Sequence, residues 1–516
     1  MKFIKQTLFA ALLTGCCLLS AEEEHPDGFK PSTDLDEFYG TPDRHAEITI
    51  CSNTLHTVSP YFLGVNTSYF NDTDEIWNTY SIREKLTTAG VRAMRYPGGE
   101  EASFFHWKHP GVNGYEDLWG DPKQYGYAPK RGPFQMTWVD PSKWATNEAF
   151  MNFDEFMANC QSIGAEPVVG LNLSSGAKHG RETEGVEEAL QWMRYCKEKN
   201  YKVTYWFLDN EPWNFEAAHQ MYVKPYAAEC VRYGKAIKAE FPDVKLIANP
   251  FSSQTYNAWG EVGHFVRTAG DYVDYIDIHY YWEWGRSSFQ QWQNTTPLET
   301  GDRWKRQSII RTYREDFRLL REAFKKAGHP DMGLMVLEWN IAPSPESLVF
   351  SQALTALIQS ELLMEFMRGD VHMTCLWPLL WRTSRDVWAE QDPFTSIITQ
   401  DPPYNPTLSA DLFRMLSPVQ GMELVESCAS TNDLVVLAAR AEECTKLLVL
   451  SKNDLRRKIT VSLKSPHEGL TATMETIAVR NQVTVKKDLA PVTGSDLVFF
   501  AEPLSFNLIT LKGKKP

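Results

Sequence analysis

Cysteine is scarce and unpatterned in this 516-residue chain. There are nine, two of them at positions 16 and 17, and no CxxC pair occurs. That removes the ligand spacing of a zinc site. Positive charge is short as well. Against 66 Asp and Glu stand 52 Lys and Arg, for a formal net charge of −14. A nucleic-acid binder needs a basic face, so that class is excluded. No GxGxxG turn is present, which argues against a dinucleotide fold. Past the first 21 residues no apolar run is long enough to span a bilayer. The chain thus gives no sign of a metal or an organic cofactor.

What is present begins with a leader. Residues 1–21 read as a signal peptide, with Lys2 and Lys5 ahead of a short apolar run. Leu13-Thr14-Gly15-Cys16 resembles a lipoprotein processing site, which would make a lipid on Cys16 the chain's one membrane tie. The competing cut, after Ala21, releases a free protein. Either way the chain is expected to be exported, as a periplasmic, outer-membrane lipoprotein or secreted protein. Residues 22–45 are polar and read as a flexible linker. In an oxidising compartment Cys428 and Cys444 are candidates for a disulfide.

Short apolar runs then alternate with amphipathic ones. Strands are expected at 61–66, 91–96, 166–172, 204–210, 244–249, 275–280, 334–338 and 371–377. Their continuous apolar character suits strands covered on both faces. Helices are expected between them, from 81–89 to 407–416. Eight of each is the count of a (β/α)₈ TIM barrel, assigned to residues 46–417. Insertions at about 98–147 and 281–306 follow strand C-termini and are rich in Trp, including Trp107, Trp119, Trp282, Trp284 and Trp292. They read either as core or as sugar platforms. From 418 to 516 short strands separated by turns indicate a C-terminal antiparallel β-sandwich domain. The fold class is therefore α/β, a barrel followed by a sandwich.

Two of the eight runs end in a glutamate flanked by tryptophan: Glu211 closes the fourth and Glu338 the seventh. Both face the same barrel mouth despite their distance in sequence. A carboxylic acid and a carboxylate about 5–5.5 Å apart are what glycoside cleavage with retention requires. Around them, Asn210 is placed to reach a sugar 2-hydroxyl, and Trp213 lies beside the acid. His279 or Tyr280, closing the sixth strand, is expected to hold Glu338 in place and keep it ionised while Glu211 stays protonated. Arg95 is placed to pair with Glu338 and lower its pKa. Trp377 is placed to floor the sugar subsite. Each residue also has a plain structural reading, as a helix-dipole partner, a core residue or a structural ion pair.

These motifs carry a resemblance. Val91-Arg92-Ala93-Met94-Arg95-Tyr96-Pro97-Gly98-Gly99, Thr146-Asn147, Phe153-Asp154-Glu155-Phe156-Met157, Gly164-Ala165-Glu166-Pro167, Tyr205-Trp206, Asn210-Glu211, Asp277-Ile278-His279-Tyr280 and Glu338-Trp339-Asn340 occur in order. The chain resembles a clan A glycoside hydrolase, most of all family 51, the α-L-arabinofuranosidases. The resemblance implies Glu211 as acid/base, Glu338 as nucleophile, and substrate contacts from Arg95, Asn210 and Tyr280. Two positions depart from the family. Asn66-Thr67-Ser68 stands where it has a glutamate after the first strand, and Glu100 stands where it has an asparagine. The Trp-rich insertions look more like family 86 agarases. The expected function is a retaining, α-L-arabinofuranosidase-like hydrolase of plant or algal polysaccharides or oligosaccharides. The alternatives are an endo-acting agarase- or porphyranase-like hydrolase and a non-catalytic carbohydrate-binding protein on the same scaffold.

Overall fold

The computed structural model describes residues 44–513, except 70, 110–116, 120–149, 215–219, 252–257, 283–288, 301–310, 342–350, 381–395, 443, 464–469, 490–491 and 493–495. The signal peptide, Cys16 and nearly all of the expected linker lie outside the described residues.

Strand β1 (His45–Thr57) comes first. The barrel follows with β2 (Leu63–Asn66), β3 (Ala93–Tyr96), β4 (Glu166–Leu171), β5 (Tyr205–Leu208), β6 (Lys245–Ala248) and β7 (Tyr275–Asp277). A rim strand β8 (Tyr280–Trp282) continues β7, and β9 (Gly333–Ile341) and β10 (Val371–Leu376) complete the set. Each barrel strand pairs in parallel with the next. β10 pairs with both β9 and β2, so the sheet closes. The main helices follow the barrel strands in turn, α1 (Ile82–Ala89), α2 (Phe153–Ile163), α3 (Glu182–Glu198), α4 (Val223–Glu240), α5 (Ala258–Ala269), α6 (Tyr313–Lys326), α7 (Gln352–Arg368) and α8 (Leu408–Leu416), with short extra helices at Asp74–Thr79, Ser174–His179 and Phe289–Asn294. All eight expected strands are found, within a few residues of their expected bounds.

Strand parity divides the apolar residues into two layers. Ala93, Val168, Tyr205, Phe207, Ile247, Met335, Leu337, Met373 and Cys375 fill the barrel interior. Their alternate neighbours, such as Met94, Val169, Trp206, Leu246 and Val336, face the helices. Local signals start and stop the helices. Asn152 and Glu155 form a reciprocal capping box at the start of α2, and Gly164 ends it in the left-handed region.

The second sheet holds β11 (Glu423–Ala429), β12 (Leu434–Ala441), β13 (Cys444–Ser451), β14 (Arg457–Ser462), β15 (Thr471–Ala478), β16 (Thr484–Asp488), β17 (Asp496–Ala501) and β18 (Ser505–Lys512). Its order is β16-β15-β18-β13-β12-β11-β1-β14-β17, and all pairs but β1–β14 are antiparallel. Met474 of β15 and Phe499 of β17 share one core although their strands lie near opposite ends of that order. The sheet therefore curls until its halves face each other as a sandwich. Its other face, with Val435, Leu448 and Phe506, packs into the barrel's outer core. Helix α7 lies in that contact and is buried along nearly its whole length.

Two expectations differ from the structure. Residues 46–57 do not begin the barrel. As β1 they pair with β11 and β14, because Ala46, Ile48 and Ile50 face the sandwich core. Cys428 and Cys444 are both free, as are all seven described cysteines. Cys444 follows β12, whose Arg440 pairs with Glu423, at the far end of β11 from Cys428. Five residues of strand, about 17 Å, separate the two positions, well beyond disulfide reach.

Candidate active site

The site lies at the C-terminal mouth of the barrel. Arg95 has the same parity as Ala93 and points inward, fully buried, with its guanidinium 4.3 Å over the Phe207 ring. It donates to Asn66 Oδ1 at 2.9 Å, to Glu338 Oε2 at 3.2 Å and to Asn210 Oδ1 at 2.5 Å. One buried cation thus ties the ends of four strands together. Asn66 is consumed in this work, since its amide also donates to the carbonyls of Leu337 and Cys375.

Glu338 enters the mouth through a bulge. Thr374 faces Val336 and Leu376 faces Trp339, so β9 spends three residues where β10 spends two. Leu337 and Glu338 consequently both face inward, and Trp339 returns to the outer core. Without the extra residue Glu338 would share the outward parity of Val336.

The loop after β5 is held as firmly. Asp209 and Glu211 adopt positive φ, 68° and 41°. The Asp209 carboxylate accepts from the backbone of Leu173 and Ser174 and from the Ser103 hydroxyl. These contacts stabilise a backbone conformation that non-glycine residues rarely adopt, as is common where a side chain must be aimed. Glu211 then projects beside Glu338.

His279 stands between the two. Its Nδ1 lies 2.7 Å from Glu211 Oε1 and 3.6 Å from Glu338 Oε2, and its Nε2 lies 3.0 Å from Asp277 Oδ2. Burial disfavours its charged form, but Glu338, Asp277 and Glu211 outweigh burial and raise its pKa to about 10. The carboxylates around the ring therefore favour the imidazolium. Burial raises the Glu338 carboxyl above its ordinary range; His279, Arg95 and Tyr281 pull it down and Glu211 pushes it further up. The expected downward pull of Arg95 is present, but burial outweighs it. The ionised form of Glu338 is the one that satisfies the donors around it.

One oxygen of each glutamate and a ring nitrogen of His279 lie within 4.8 Å of one another, the only such trio among the described residues. That spacing would admit a divalent ion. To hold one, the imidazole would first have to give up a proton that its flanking carboxylates favour, because a metal ligand must offer a lone pair.

The structure separates the two tyrosines of the sixth strand. Tyr280 faces outward, fully buried, and its hydroxyl donates to Asp316 at 3.0 Å. It is not at the mouth. Tyr281, which was not anticipated, donates to Glu338 Oε1 at 2.6 Å. Asp277, His279 and Tyr281 share one parity, and that alternation was the signal that could have found it. Trp213 is half-buried and donates to Asn249 at 2.8 Å. Trp377 is half-buried over the Gly98–Gly99 turn beside Arg95. Of the Trp-rich insertions, Trp282 and Trp292 are buried core residues and Trp107 stacks on Trp192. Trp284 lies outside the described residues.

Comparison with known proteins follows the same lines. Residues 85–297, which include Arg95, Glu211 and His279, match the model of the alpha-L-arabinofuranosidase 1 domain. A probable alpha-L-arabinofuranosidase C of Aspergillus fumigatus is 28% identical over 182 residues, 32% of this chain and 31% of that protein. An intracellular exo-alpha-(1->5)-L-arabinofuranosidase of Streptomyces lividans is 26% identical over 224 residues, 39% of this chain and 30% of that protein. The alignments thus span about a third of these relatives' length. In fold, a thermostable GH51 alpha-L-arabinofuranosidase from Thermotoga petrophila superposes with a TM-score of 0.66 at 16% identity, covering 90% of this chain and 99% of that one. By motif, by the matched barrel segment and by fold, this chain is similar to the family 51 α-L-arabinofuranosidases of glycoside hydrolase clan A.

Proposed function

We propose that the protein is a retaining glycosidase that cleaves O-glycosidic bonds in plant or algal polysaccharides or oligosaccharides, with α-L-arabinofuranosides as its first substrate class. The observation that carries this is the pairing of Glu211 and Glu338 across one mouth, one oxygen of each within 4.8 Å of the other and both beside His279. Such proximity suits direct attack rather than activation of an intervening water, which needs a gap of about 6.5–9.5 Å.

Glu338 attacks the anomeric carbon while Glu211 protonates the departing oxygen, and a glycosyl-enzyme forms. Glu211 then takes a proton from water, whose oxygen displaces Glu338. Tyr281 and Arg95 align the nucleophile. The names of the relatives support arabinose as the sugar, and the leader sequence supports action outside the cytoplasm.

The test is hydrolysis of 4-nitrophenyl α-L-arabinofuranoside, beside arabinan, xylan, agar and carrageenan, by the wild type and by Glu338→Gln and Glu211→Gln. Each substitution is expected to lower turnover by at least ~100-fold. Azide is expected to rescue Glu211→Ala, giving a glycosyl azide of retained anomeric configuration. Near-wild-type rates in either glutamine variant would sink the assignment, and binding without turnover would favour a carbohydrate-binding role.

A further inference from the structure

β7 leaves the β9 ladder at Asp277, and β8 rejoins it at Tyr280. In the gap the Leu337 N–H donates to Asp277 Oδ1 at 2.7 Å, so a side chain replaces the missing ladder acceptor. The other oxygen, Oδ2, lies 3.0 Å from His279 Nε2, and both side chains are 2% exposed. One carboxylate therefore locks the strand break and grips the imidazole from behind.

The charged and titratable groups facing His279 come from several elements. Asp277 lies on its own strand, Glu211 after β5 and Glu338 on β9. Tyr281 of β8 and Arg95 of β3 both contact Glu338. A carboxylate accepts hydrogen bonds, and a protonated carboxyl still accepts through its remaining oxygen. With Asp277 at Nε2 and Glu211 at Nδ1, a doubly protonated ring satisfies both contacts in either state of Glu211.

We propose that Asp277 is a positioning residue that acts through His279, keeping an imidazolium aimed at Glu211 so that the negative charge left there by proton transfer meets an N–H already in place. This rests on the glycosidase reading above. In the first half-reaction the Glu211 proton goes to the leaving oxygen, the glycosidic C–O bond breaks and the Glu338–carbon bond forms. Glu211 is left anionic against His279 Nδ1–H. In the second, Glu211 regains a proton from water and Glu338 is released. His279 keeps its proton throughout.

The substitution Asp277→Asn tests this, because the amide oxygen can still accept from Leu337. Two readouts separate positioning from mere support. In protein labelled with ¹⁵N-histidine, wild-type His279 is expected to be an imidazolium at pH 7, and its deprotonation midpoint is expected to fall by at least about one unit in the variant. On a series of aryl α-L-arabinofuranosides the variant is expected to lose at least ~10-fold in kcat/KM on the phenyl glycoside. The loss on the 2,4-dinitrophenyl glycoside, which needs little protonation, is expected to stay below ~3-fold. A neutral His279 in the wild type overturns the proposal without any variant, even if Asp277→Asn does not fold. An unmoved titration or an equal loss on every leaving group also overturns it. Activity surviving in Glu211→Gln or Glu338→Gln instead removes the underlying reading.

Discussion

Tyr281 donates its hydroxyl to Glu338 at 2.6 Å, whereas the adjacent Tyr280 donates to Asp316 on the opposite side of the strand. Burial and Glu338 keep the Tyr281 hydroxyl well above its ordinary range, so it remains a donor. Tyr281→Phe is expected to lower kcat/KM by about 10–100-fold, the scale of a lost hydrogen bond to a charged group of about 1.5–3 kcal/mol. Tyr280→Phe leaves Asp316 short of a buried donor. It is expected to lower stability by about 1–3 kcal/mol with little change in rate. Steady-state kinetics and urea unfolding on both variants check the contrast, and equal kinetic losses would contradict it.

The turn under Trp377 depends on glycine. At Gly99, φ is +57°, and an added Cβ would come within 2.4 Å of the Trp377 ring. Gly99→Ala is expected to displace that ring, raise KM more than it lowers kcat, and cost about 1–2 kcal/mol of stability. At Gly98 the added atom would lie 1.8 Å from the Thr67 carbonyl oxygen. That backbone obstacle cannot rotate away, so Gly98→Ala is expected to be the more damaging change. Melting temperature and KM for both variants decide this.

Barrel and sandwich share a buried ion pair. Lys452 Nζ lies 3.0 Å from Glu361 Oε2, neither side chain is exposed, and the ammonium sits 4.8 Å over the Trp292 ring. Burial, partly offset by Lys452, raises the Glu361 carboxyl to about 7. Lys452→Met strands that carboxyl and is expected to cost about 3–5 kcal/mol. The double variant Lys452→Met/Glu361→Leu is expected to recover most of the loss. A double-mutant cycle by chemical unfolding measures it.

His106 is buried against Asp117 and Glu188. Burial opposes its charge, but Asp117, 3.5 Å from Nε2, and Glu188, hydrogen-bonded at Nδ1, raise its pKa to about 9. A raised folded-state pKa contributes stability that is complete below the unfolded value, about 6.5, and is lost as pH rises through about 9. Unfolding free energy measured from pH 6 to 10 is expected to fall by on the order of 2–3 kcal/mol through this group. His106→Gln is expected to flatten that part of the profile.

Much of the architecture was legible in the chain. Continuous apolar runs alternating with amphipathic ones can bury themselves only as covered strands and flanking helices, so the eight barrel strands and the positions of Glu211 and Glu338 followed from pattern alone. The pairing of Arg95 with Glu338 followed from both lying at strand ends. Pattern failed where a residue's direction depended on its neighbours. Trp282 and Trp292 read equally well as platforms or core, and only packing against other elements made them core. Residues 46–57 carried alternating apolar positions that suit either sheet, and register with β11 and β14 assigned them to the sandwich.

The sequence by itself determined which strand ends carry the two carboxylates, because hydrophobic periodicity counts strands and strand ends share a face. The tertiary structure decided which atoms reach them. A bulge in β9 turns Glu338 inward, a break between β7 and β8 lets Asp277 hold His279, and strand parity chooses Tyr281 over Tyr280. Each is a matter of register, and register exists only once strands from distant parts of the chain have paired.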